Sequence, residues 1–143
     1  MGIVADFFVA PPAYALECNA RIRNDEAILS DGFERAEYKN FMPMALGMLW
    51  AILRHEEWDA RRHDLEHVCH AENGERWLVR FPDELTYLIS ILDETTIDAV
   101  ASAWVSREVP GNSEELKPVL QDLKKLAAQA RKDGRALFLW GTL

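Results

Sequence analysis

The chain has 143 residues, 49% of them hydrophobic and 28% charged, with a formal net charge of -8 at pH 7. That length holds one core and one domain, 1–143, and the composition excludes a disordered tail or a low-complexity linker. The acidic balance disfavours non-specific nucleic-acid binding, because phosphates call for basic residues.

Ile3 to Ala10 is apolar and β-prone and is stopped by Pro11-Pro12, so a strand is predicted near 3–10. Both of its faces are apolar except at Asp6, which suggests burial on both sides. Residues 13–20 and 24–38 read as two short helices, the second interrupted by Gly32. Asn40 is expected to cap a third helix, with Pro43 in its first turn, where a missing N–H costs nothing. That helix is apolar almost all round as far as Leu53 and is expected to be buried. His55 to Glu66 is charged with mixed signs and reads as a loop or an exposed turn.

Asn73-Gly74 between two strand-like runs is a hairpin signal, since a type I′ turn needs positive φ at both central positions. Strands are predicted near 66–72 and 75–81. The turn pairs His70 with Trp77, Val68 with Val79 and Glu66 with Phe81 on one face. Cys69 with Leu78 and His67 with Arg80 fall on the other.

After Pro82 the period changes to 3.6. Leu85, Leu88, Ile89 and Leu92 form one stripe. Asp93 is expected to cap a second helix, whose stripe is Ile97, Val100, Ala101 and Trp104. Ser113 is expected to cap the last helix, with Leu116, Val119, Leu120, Leu123, Leu126, Ala127 and Ala130 on one face. Gly134 fits its C′ position, and a closing strand follows near 135–140. The fold class is therefore α+β. A small, mostly antiparallel sheet of strands near 3–10, 66–72, 75–81 and 135–140 is packed by helices.

The opening residues lack the basic start of a secretory signal, and Asp6 stands where a myristoylation signal wants Ser or Thr. The longest uncharged run that reads as helix, Asn40 to Leu53, falls short of the roughly 20 residues that span a bilayer. Cys18 and Cys69 are too few for a disulfide framework. The expectation is a cytoplasmic protein with reduced thiols and no membrane association.

Metal-competent side chains are densest at His63, Glu66, His67, Cys69 and His70. His63-Asp64-Leu65-Glu66-His67 matches H-x-x-E-H, a zinc pattern that needs both His on one helix face. The hairpin puts Glu66 onward in a strand, so the helical zinc site and the hairpin exclude each other. The hairpin has the stronger physical signal. His63, His67, Cys69 and His70 remain weak metal candidates, and no cofactor is implied. Asp6 could be a buried acid or base; the alternatives are an edge position or a salt bridge to an arginine. Asp83-Glu84 and Asp93-Glu94 resemble paired catalytic acids but open predicted helices, where capping explains them. There is no G-x-G-x-x-G, P-loop, G-x-S-x-G or C-x-x-C. Lys117, Lys124, Lys125 and Lys132 read as a solvated face. Trp77 and Trp104 are expected in the core, Trp50 on the buried helix, and Trp58 and Trp140 exposed.

Met1-Gly2-Ile3 with Asp6-Phe7-Phe8-Val9-Ala10-Pro11 resembles the start of a group of small bacterial proteins of unknown function. Asp83-Glu84-Leu85, Ala103-Trp104, the L-x-x-L-A run from Leu123 to Ala127 and the Gly134 to Trp140 finish continue the likeness. More distantly the pattern is similar to YfbM-like bacterial domains, mainly over 1–11 and 81–140. These are core positions, so the resemblance implies a fold and no site residues.

Three functions follow as expectations. The first is a small acidic module that binds another protein or itself, a toxin-immunity protein being one concrete version. The second is a small enzyme with a pocket around Asp6 or His63–His70. The third is a zinc-binding module.

Overall fold

The computed structural model describes residues 2–23, 33–71 and 74–143. The fold is α+β. Its strands are β1 (Val4–Ala10), β2 (Arg35–Lys39), β3 (Glu66–His70), β4 (Arg76–Arg80) and β5 (Ala136–Thr142). Its helices are α1 (Tyr14–Arg23), α2 (Pro43–Leu53), α3 (Asp83–Ser90), α4 (Ile97–Trp104) and α5 (Ser113–Lys132). The strands form one antiparallel sheet in the order β2-β1-β5-β4-β3.

β1 sits inside the sheet because both of its faces are apolar. Ala5, Phe7 and Val9 face one cluster, and Phe8 and Ala10 face the other. β5 divides in the same way, with Leu137 and Leu139 on the first side and Ala136 and Phe138 on the second. Helices α2 to α5 cover the first side, and α1 covers the second through Tyr14 and Cys18. The seven stripe residues of α5 are all buried, and each fully buried Leu contributes about 1.5–3 kcal/mol. The end of α5 closes as a Schellman motif. Arg135 N–H reaches Ala130 O at 2.8 Å and Gly134, with φ 63, donates to Arg131 O at 3.5 Å.

Several local expectations need correction. Of the helix expected over 24–38, residues 24–32 lie outside the described residues, and Arg35–Lys39 is a strand. Its Ala36 and Tyr38 point to the core while Arg35, Glu37 and Lys39 are exposed. That alternation has period two, and pairing with β1 fixes it. The Tyr38 hydroxyl donates to Asp122 of α5, and desolvation followed by that carboxylate pushes the phenol above its ordinary range.

Asn40 does not cap α2. It has φ 66, and its Oδ1 accepts from Ile3 N–H at 2.9 Å, closing the end of the β1–β2 ladder. The N-cap is Met42, with no side-chain bond, and Pro43 opens the helix as expected. Asp93 closes a turn instead of a helix, its Oδ1 accepting from Thr95 N–H at 2.9 Å; Thr96 is the N-cap of α4. Asn112, not Ser113, caps α5. It forms a reciprocal box with Glu115 at 3.0 and 3.1 Å, because the box needs its oxygen three residues before the Glu.

The hairpin keeps His70 opposite Trp77 and Cys69 opposite Leu78. A β-bulge then shifts the register, so that His67 opposes Val79 and Glu66 opposes Arg80. The bulge lets the adjacent Val68 and Cys69 both pack on the α1-side cluster. The expected pairs Val68 with Val79, Glu66 with Phe81 and His67 with Arg80 are therefore not formed.

Candidate functional site

The charged segment after α2 folds back on the helix through one buried side chain. His63 is 2% exposed and lies edge-on to Trp50, with ring centroids 5.6 Å apart. Its Nδ1 accepts from Asp59 N–H at 2.9 Å, which leaves Nε2 to carry the ring proton and face Glu56 Oε1 at 3.5 Å. The carbonyl of His63 lies so close to α2 that a Cβ on Gly47 would stand 2.2 Å from it. Only glycine permits that approach.

An ion-pair chain fastens the outside of the segment. Arg54 donates to Glu84 at 2.6 Å and to Glu56 at 2.5 Å, and Arg62 reaches Glu56 at 3.0 Å. Trp50 Nε1 donates to Glu84 at 2.8 Å. The Arg54 guanidinium is the main cause that holds both Glu56 and Glu84 below their ordinary carboxylate range.

This fold-back makes one wall of a cleft of about 500 Å³. Met42, Pro43 and Met44, at the start of α2, form a second wall, and Trp58 lines the same cleft. Trp77 of β4 contributes the indole that lies over Gly141, where a Cβ would meet its Cε2 at 2.2 Å. Asp64, His67 and Glu108 bring the polar groups, with His67 Nε2 2.9 Å from Asp64 Oδ1. Met42 is 40%, Met44 46% and Trp58 40% exposed, so the mouth is apolar and open to solvent. The described lining includes no Lys or Arg.

The residues singled out in the sequence are only partly brought together. His63 and His67 both line the cleft, but both ring nitrogens of His63 already face partners within the fold. Cys69 packs toward the α1-side cluster, and His70 is exposed on β3. Among the described residues, no three His, Cys, Asp or Glu side chains come close enough to hold a metal ion. The H-x-x-E-H match spans a turn and the first residues of β3, so its two His do not share a helix face.

Asp6 is 5% exposed, away from the cleft, and pairs with Arg35 at 3.1 Å across the β1–β2 ladder. Asp83 reaches Arg80 at 3.2 Å and Glu94 lies 3.4 Å from Lys124. Lys117 likewise pairs with Asp98 at 3.0 Å.

Trp58 is exposed and Trp104 buried as expected. Trp140 is half-buried against the α1-side cluster instead of exposed, because its strand neighbour Phe138 already faces that side. Trp77 is half-buried and serves the cleft as well as the core.

The sequence signal for Met42, Met44, Trp77 and Glu108 as site residues was weak. Met42 and Met44 read as the start of a helix expected to be buried, yet they stand 40% and 46% exposed. Among the described residues no helix is long and apolar enough to cross a membrane. No family model matches the chain, and comparison with curated proteins and with solved structures finds no match, so the YfbM-like resemblance rests on the residues quoted for it.

Proposed function

We propose that the chain is a protein-binding module whose cleft receives a basic side chain of its partner within an apolar surround. The observation that carries this reading is the lining: two Met, two Trp, Asp64 and Glu108, with no Lys or Arg among the described lining residues. Met side chains adapt to varied shapes, and a Trp face attracts a cation by about 0.5–2 kcal/mol. The net charge of -8 steers a basic partner toward the molecule. An immunity-like protein that covers a basic toxin surface is one version of this action. The enzyme alternative keeps the Asp64–His67 pair, but no Ser, Thr, Cys or Lys stands among the described lining residues as a nucleophile.

The test is a titration with an acetylated, amidated Leu-Arg-Leu-Arg-Leu peptide, followed by tryptophan emission at physiological ionic strength. A saturable change is expected, weakened about tenfold in Trp58→Ala or Asp64→Asn. An equal response to the peptide with Gln in place of Arg would sink the proposal, as would full-strength binding by Trp58→Ala.

A further inference from the structure

A second concave region carries the guanidiniums that the cleft lacks, together with one lining carboxylate, Asp83. Arg80 at the end of β4, Arg131 in the last turn of α5 and Arg135 just before β5 line one pocket of about 310 Å³. Three guanidiniums in one pocket are a concentration of charge in a chain with 16 basic and 24 acidic residues. Their elements meet there because β4 pairs with β5 and α3 packs on α5.

Arg131 is the group most available to a ligand. It donates to Ser90 Oγ at 3.0 Å and stacks 4.6 Å over the Tyr87 ring. No carboxylate pairs with it among the described residues. Arg80 is held by Asp83 at 3.2 Å and Glu66 at 3.8 Å, whose side chains are 92% and 58% exposed. Arg135 is held by Glu34 and Asp133, at 2.9 and 2.7 Å. The Arg80 and Arg135 side chains are only 26% and 17% exposed, but the carboxylates that hold them reach solvent, so a doubly charged anion can compete for the guanidiniums. Arg80 and Arg135 also each keep a buried Nε–H outside hydrogen-bond range of any acceptor, that of Arg80 lying 3.8 Å from Glu66, so re-aiming them breaks no hydrogen bond at Nε.

Helix C-termini normally repel anions, yet here the carbonyls of Gln129, Ala130 and Arg131 already accept backbone N–H groups of the closing turn. A guanidinium fork matches phosphate geometry two bonds at a time.

We infer that this pocket binds a phosphate-type oxyanion, either free phosphate or the head of a phosphomonoester, clamped by Arg80, Arg131 and Arg135. Isothermal titration of the full chain with inorganic phosphate and with phenyl phosphate, against sodium chloride at matched ionic strength, tests it. One-site saturable binding is expected, with the tighter of the two probes naming the source of the anion. Arg131→Gln, at an exposed position and with its fold checked by circular dichroism, should weaken binding about tenfold or more. Lys124→Gln with Lys125→Gln should leave it unchanged. No saturation beyond the chloride control, undiminished binding by Arg131→Gln, or an equal loss in the lysine variant would each overturn the inference.

Discussion

The two faces of the sheet are built to different depths. Four helices cover the face that holds Phe7, Val79 and Leu139, whereas among the described residues α1 and Phe33 cover the face that holds Phe8, Leu78 and Phe138. The deep face buries Trp104 at 1% exposure and directs its indole N–H to Ala45 O at 2.8 Å. The shallow face tolerates a charged pair, Asp6 with Arg35, within its strands. Depth of cover therefore decides where the chain can place polar groups. The cleft opens at the margin of the deep face, where α2 begins and its cover ends.

The largest effect is expected from truncating the deep face. Trp104→Ala should cost about 5 kcal/mol in chemical denaturation, the upper end for aromatic truncation, because four helices cannot all close on the hole. Ala45 O also loses its donor. Phe8→Ala should fall nearer 3 kcal/mol, because the thinner described cover, α1 with Phe33, can settle into the space. Equal losses would refute the difference in depth.

A smaller effect should join the core to the cleft. Gly141→Ala places a methyl 2.2 Å from Trp77 Cε2, so the indole must move. Overpacking of this kind costs about 1–3 kcal/mol, and it should also weaken peptide binding at the cleft. A variant with unchanged binding would show that Trp77 does not shape the site.

The smallest effects are electrostatic. Arg54 holds the Glu56 and Glu84 carboxyls below their ordinary value of 4.5. A depressed carboxylate stabilises the fold above its unfolded value, and that stability is lost as pH falls through the folded value. Stability measured from pH 5 downward should therefore decline below about 4.5, and Arg54→Gln should flatten that decline. An identical acid profile in Arg54→Gln would remove the network from the account. These pairs are exposed, so the change should be modest beside the core variants.

Much of the fold was legible in the residues. The α5 stripe, the Gly134 closure, β1 and the α3 and α4 stripes all follow from periodicity within single elements. Hydrophobic spacing is local, and a helix or a buried strand carries its own period. β2 was misread because Arg35–Lys39 is short and mixed in charge, and only its pairing with β1 commits it to a strand. The bulge at Val68 was hidden for a similar reason. Which side Val68 joins depends on the cluster beneath α1, not on its neighbours in sequence.

The site divides along the same line. His63 and His67 are marked in the sequence by residue type and by the H-x-x-E-H spacing, and Trp58 by its expected exposure. Their association with Met42, Met44, Trp77 and Glu108 joins residues far apart in the chain. The sequence by itself determined the class of fold, the acidic balance and the faces of the regular elements, because composition and period act over a few turns. Only the tertiary structure decided the cleft, the arginine pocket and the partners of His63. Those depend on backbones approaching as closely as Gly47 and His63 do, and such approaches exist only once the elements have packed.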